Sequence, residues 1–139
     1  YDGAFEYWTK AAGLGHVAAH FELSCMYRDG KGVEKDTEKE LHHLEEAAIA
    51  GHPDARYNLG CLEGKSGRHE RAMKHLIIAA SLGEEDSMNS LNGGVNAGLV
   101  SEEDFAAALR AHHAAVEATK SPQREVAAEY FRTESSGSK

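Results

Sequence analysis

The sequence predicts an all-α protein built as an array of helix–turn–helix repeats, and three observations carry that prediction. The first is self-similarity. Ala11-Ala12-Gly13-Leu14-Gly15 returns as Ala47-Ala48-Ile49-Ala50-Gly51 and again as Ala79-Ala80-Ser81-Leu82-Gly83, at intervals of 36 and 32 residues, and such periods mark helical repeat arrays. The second is a companion signal, an alanine four places before a leucine that is followed by a small residue. It runs from Ala19 to Leu23-Ser24 and from Ala55 to Leu59-Gly60, then degrades into Ser87 to Leu91-Asn92. The third is composition: two prolines and 7% aromatic residues, beside a hydrophobic fraction of 41%, suit a helical core better than a β-sandwich.

Taken in order, residues Gly3 to Gly13 read as the second helix of a repeat whose first helix lies outside the chain, with Ala4, Tyr7 or Trp8, Ala11 and Ala12 on one apolar face. Gly13 and Gly15 offer left-handed positions to end it. His16 to Tyr27 is expected to form the next first helix, with Ala19, Leu23 and Met26 or Tyr27 inward. Asp29 to Val33 is a turn rich in glycine. Asp36 or Thr37 caps a second helix reaching about Ala50, with Leu41, Leu44, Ala47 and Ala48 inward.

The following repeat opens at Gly51-His52-Pro53-Asp54, where proline suits a helix start. Its first helix carries Ala55, Tyr57, Leu59 and Leu62, and its second Ala72, Met73, Leu76, Ala79 and Ala80. Between them, Gly64 to Gly67 is shorter than the preceding inter-helix loop, which accounts for the shorter second interval. Beyond Gly83 the pattern frays. Asp86 to Leu91 reads as a first helix broken at Asn92-Gly93-Gly94. Ser101 to Asp104 resembles a capping box before an alanine-rich helix that Ser121-Pro122 should end, with another helix from Gln123 to about Arg132. A divergent last helix is what an array needs to close its open end. Residues 1–134 are thus expected to form one array of about three repeats, the first incomplete, and 135–139 a disordered tail. A start at Tyr1 inside a helical pattern, without an initiator Met, reads as part of a longer protein.

These residues resemble the Sel1-like repeat, a branch of the tetratricopeptide-like helical repeats. The first complete repeat supplies Ala19, Leu23, Tyr27, Gly30, Gly32, Val33, Asp36, Lys39, Ala47, Ala48 and Gly51; the second supplies Ala55, Tyr57, Asn58, Leu59, Gly60, Ala72, Ala79, Ala80 and Gly83. Ser24 and Glu40 depart from the family's Gly and Ala. The match is good over roughly residues 4–92 and poor beyond. The resemblance implies a right-handed α-solenoid that acts as a non-catalytic scaffold and binds another protein or peptide on the concave face lined by its first helices. On this chain the corresponding positions are His20 and Arg56, with Glu22 and Asn58 alongside, each pair one 36-residue repeat apart. Burial within a larger multiprotein assembly is the alternative role.

The remaining chemistry is sparse. A net charge of −8 argues against nucleic acid, and no apolar run approaches the roughly 20 residues of a membrane span. Cys25 and Cys61 hold equivalent places in successive repeats. Stacked helices stand about 8–10 Å apart and a disulfide needs its α-carbons within about 7 Å, so both are expected to stay free thiols, which suit an intracellular compartment, although the sequence names none. His16 and His20, four apart, share a helix face but find no cysteine or carboxylate at ligand spacing. His42-His43 and His112-His113 are adjacent and point apart on a helix. Gly64-Lys65-Ser66 lacks the strand and earlier glycine of a phosphate loop. No catalytic residue, metal or cofactor is expected.

Overall fold

A computed structural model describes residues 3–137, which form seven helices and, among the described residues, no strand. The helices are α1 (Ala4–Gly13), α2 (Val17–Asp29), α3 (Thr37–Ile49), α4 (Pro53–Lys65), α5 (His69–Ser81), α6 (Ser87–Asn96) and α7 (Glu102–Gly137). Each packs on its neighbour in the chain from α1 through α7, and α7 also packs on α5, so the elements stack as an α-solenoid.

The alanine-pair signal has a local cause at the end of each second helix. At the close of α3 the amide of Gly51 donates to Ala48 O and the amide of His52 to Ala47 O, both at 3.0 Å, with Gly51 at φ 96°. This is the paired-carbonyl helix stop that requires a left-handed residue after the last turn. The same two bonds recur from Gly15 and His16 to Ala12 and Ala11, and from Gly83 and Glu84 to Ala80 and Ala79. Gly13 itself stays inside α1, so only Gly15 supplies the left-handed stop that both glycines were expected to offer.

Helix starts also follow the sequence. The Asp36 carboxylate accepts from the Lys39 amide at 3.1 Å, and Ser101 Oγ accepts from the Asp104 amide at 3.0 Å. Pro53 occupies the first turn of α4, behind the His52 ring that caps it. Buried Glu84 accepts from the amides of Asp86 and Ser87 and from the Ser87 hydroxyl at the mouth of α6.

Packing joins these elements into two apolar clusters. One gathers Leu44, Ala47, Ala48, Ala55 and Leu59 around the α3–α4 contact; the other gathers Leu76, Ala80, Leu91, Val100 and Ala108. Gly60 allows a close α4–α5 approach, since a β-carbon there would lie 3.0 Å from Leu76 Cγ and 3.2 Å from the Ala72 carbonyl. The equivalent Ser24 is buried with its hydroxyl donating to Phe21 O at 2.6 Å. Leu41, expected inward, is 37% exposed.

Two expected breaks do not occur. Gly93 and Gly94 lie inside α6 rather than ending it, and Gly94 is buried where a β-carbon would meet Met73 Sδ at 2.5 Å. The glycine that looked like a helix breaker is a packing contact. Likewise Ser121-Pro122 does not interrupt α7, which carries Pro122 in its interior. A mid-helix proline removes the hydrogen bond to the carbonyl four residues back; here that residue, Ala118, is exposed, so water can take the place of the lost donor. The helix runs to Gly137, through the first residues of the disordered tail expected from 135, while Ser138 and Lys139 lie outside the described residues.

Candidate functional site

The residues expected to bind a partner lie on α2 and α4, and the structure sorts them into two pairs. His20 and Arg56 turn toward the second helix of their own repeat. His20 Nδ1 lies 3.0 Å from His43 Nδ1 on α3, and Arg56 Nη1 lies 3.3 Å from His75 Nδ1 on α5. Arg56 Nη2 also donates to the Ala48 carbonyl at 3.2 Å, and its Nε is buried without a partner. These two side chains are therefore structural contacts between the helices of their repeats. Two residues along a helix is a rotation of about 200°, so Glu22 and Asn58 lie on the other side. Glu22 is exposed, and Asn58 is half-buried.

Asn58 lines a cleft of about 100 Å³ together with Arg28 of α2, Glu40 of α3, and Cys61, Leu62 and Lys65 of α4. The cleft thus draws on two successive first helices and offers cations, a carboxylate and an amide side by side. Burial raises the Glu40 carboxyl above its ordinary range, with Arg28 pulling the other way. Cys25 and Cys61 are both free thiols, half-buried rather than enclosed; burial pushes the Cys25 thiol up, opposed by Arg28.

Aromatic contacts fix the frame around these residues. The Phe21 ring stacks on His52, centroids 4.4 Å apart and 9° from parallel, which ties α2 to the cap of the next first helix. Tyr27 stacks on His43 at 5.7 Å and 4° and meets Phe5 of α1 edge-on. His112 of α7 lies 3.0 Å from the Ala80 carbonyl and, as the only possible donor of the two, must carry its proton on Nδ1. That carbonyl is the repeat equivalent of Ala48 O, the one Arg56 takes. Glu63 is buried at the end of α4 against Arg68 and Arg71, the latter at 3.2 Å; its hydrogen bond from Arg68 holds the carboxyl below the ordinary range against the opposing effect of burial.

The sequence did not single out His43 and His75 as partners of His20 and Arg56. The signal was available, because 20 and 56 differ by the first interval, and 43 and 75 by the second. Among the described residues no three His, Cys, Asp or Glu side chains converge as a metal site. His16 sits at the start of α2, exposed, while His20 is engaged with His43. No helix among the described residues is long and apolar enough to cross a membrane.

Comparison with known proteins agrees with this architecture. A mouse protein, "DAP3-binding cell death enhancer 1", is 24% identical in an alignment covering 99% of this chain and 35% of its own length. "Uncharacterized protein NMB1327" of Neisseria meningitidis serogroup B is 41% identical over 42% of this chain and 13% of its own. The chain thus spans about a third or less of the relatives it matches. The Sel1 repeat family model matches residues 1–16, 17–52 and 53–84, the same three units that the alanine-pair stops delimit. Sel1 repeats are generally protein-interaction modules, and this chain belongs to the Sel1 repeat family.

Proposed function

We propose that the chain is a non-catalytic scaffold that binds a partner protein or peptide along the concave side of its first helices, with Glu22 and Asn58 in direct contact and His20 and Arg56 beside them. The observation that carries this reading is the cleft spanning α2 and α4, in which Arg28, Glu40, Asn58 and Lys65 stand together. A partner seated there reads two repeats at once, which is how a repeat array gains specificity from modest contacts. Arg56 contributes through order: its guanidinium is already held by His75 and the Ala48 carbonyl, so little rotamer freedom is lost on binding. The name of the mouse relative describes binding to another protein, DAP3, which is in keeping with an interaction role here without identifying the partner.

The test is capture of partners by the wild type and by a Glu22→Lys/Asn58→Ala variant, with Glu38→Lys/Lys74→Glu, on exposed positions of the second helices, as control. The first variant should lose capture at unchanged stability, and the control should keep it. Loss in the control alone places the binding surface on the second helices and overturns the proposal. Co-purification of every variant with one fixed assembly supports the structural-subunit role instead.

A further inference from the structure

In each complete repeat an imidazole of the second helix meets a nitrogen of the first. His43 and His75 occupy equivalent places on α3 and α5, and their contacts, 3.0 Å to His20 Nδ1 and 3.3 Å to Arg56 Nη1, occupy equivalent places on α2 and α4. We propose that these contacts are acid-released latches between the two helices of a repeat, and that they release in order: Arg56–His75 on its first proton, His20–His43 only on its second.

The order follows from counting protons. A guanidinium stays charged and only donates, so His75 Nδ1 must present a lone pair and the ring proton must sit on Nε2. One added proton turns that acceptor into a donor and sets two cations 3.3 Å apart. The histidine pair behaves differently. Two neutral rings satisfy each other, one Nδ1–H donating to the other Nδ1. A first added proton still leaves an imidazolium donating to a neutral ring, and charge assistance strengthens that bond. Only a second proton leaves two donors facing each other.

The surroundings oppose charge on both second-helix rings. Burial lowers the pKa of His75, with Arg56 of α4 and Arg71 of α5 acting in the same sense, against Glu63 of α4 and Glu45 of α3. Glu63 is itself committed to Arg68 and Arg71. Burial also lowers the pKa of His43, helped by His20 of α2 and by His42 and Lys39 of α3, against Glu46 of α3; Tyr27 of α2 stacks on its face. A histidine whose folded pKa is depressed takes a proton more readily in the unfolded chain. For His75 the stabilising effect is complete above the unfolded value of about 6.5 and is lost as pH falls from there toward the lowered folded value, whereas the His20–His43 contact is lost only once both rings are charged.

The experiment follows imidazole ring protons by NMR from pH 8 to 4.5 and melts the protein in the same buffers, for wild type, His75→Gln and His43→Gln. Glutamine keeps a carbonyl acceptor for Arg56 and cannot titrate. The His75 resonance should titrate below a free histidine, and the wild-type Tm should drop by on the order of 3 °C from pH 7.5 to 5.5. His75→Gln should abolish most of that drop, and His43→Gln should leave it while removing a further drop at lower pH. A free-histidine titration for His75, a drop unaffected by His75→Gln, or the reverse order of the two variants would overturn the proposal. Should His75→Gln not fold, Arg56→Gln replaces it: removing the cation should move the His75 titration toward the free value, and an unmoved titration overturns the latch.

Discussion

Helix α1 and helices α3 and α5 end in the same two alanines and the same glycine stop, yet they differ in what lies over them. Leu44 and Leu76 are 1% and 4% exposed, and Ala47 and Ala79 are fully enclosed. At the equivalent places of α1, Trp8 and Ala11 are only half-buried, and no residue of α1 is buried. The difference lies in the neighbours. Helix α3 packs between α2 and α4, and α5 among α4, α6 and α7, whereas α1 packs on α2. Its open side forms an apolar hollow of about 480 Å³ bordered by Tyr7, Trp8, Leu14 and Ala18. The repeated motif therefore encodes a backbone ending, and stacking supplies the burial. In a solenoid, stability is a sum of repeat and interface terms, and α1 shares the first kind of term while lacking part of the second.

The sharpest way to break this comparison is truncation at the equivalent large side chains. Leu44→Ala or Leu76→Ala should cost about 2–5 kcal/mol, as for enclosed leucines, whereas Trp8→Ala should cost no more than about 1 kcal/mol, closer to a surface change. Denaturant unfolding of the three variants decides it. An equal loss at Trp8 would mean that its face is covered in solution as those of Leu44 and Leu76 are.

The same division explains what was legible in the sequence. Local features were readable because they follow from nearby residues: the Asp36 and Ser101 caps, Pro53 at a helix start, and Gly32 and Gly51 at φ 77° and 96°. Features set by a distant contact were not. Gly94 reads as a breaker until Met73 and Val100 are seen against it. Pro122 reads as a stop because propensity says nothing of a carbonyl that solvent can satisfy. Glu63, an acid in an otherwise apolar register, is buried because Arg68 and Arg71 reach it. In the candidate site, the 36-residue interval relates His20 to Arg56, and the two make parallel contacts with a histidine of their second helices. Missing was the rotation between the two pairs, which turned His20 and Arg56 toward the second helices, left Glu22 exposed and set Asn58 half-buried at the cleft.

Enlargement should destabilise as truncation does, and with the same contrast between the enclosed and the open site. Ala47→Leu has no space and should cost about 1–3 kcal/mol, while Ala11→Leu, beside the open hollow, should be nearly neutral. The two adjacent glycines of α6 make a second pair of this kind within one helix. A β-carbon at Gly94 would meet Met73 Sδ at 2.5 Å and Val100 Cγ2 at 3.0 Å, whereas one at Gly93 meets nothing within 4 Å. Gly94→Ala should therefore destabilise, and Gly93→Ala should stabilise by up to about 1 kcal/mol through helix propensity alone. Thermal melts of the pair give the signs, and a shared sign would refute the packing account.

The smallest expected effect is a test in which α1 and α3 should agree. Gly15 and Gly51 end their helices at φ 87° and 96°, and a β-carbon on either would meet nothing within 4 Å. Replacement by alanine is then penalised by the left-handed backbone alone, roughly 1 kcal/mol or slightly more. Because that penalty arises within the residue itself, it should be the same at the uncovered end as in the stacked middle, unlike the losses at Trp8 and Leu44. Equal shifts in unfolding free energy for Gly15→Ala and Gly51→Ala would separate the local term from the stacking term directly. A Gly51→Ala loss several times that of Gly15→Ala would instead show that the stop matters mainly by aiming α4 onto α3, so that the motif and the interface are not independent.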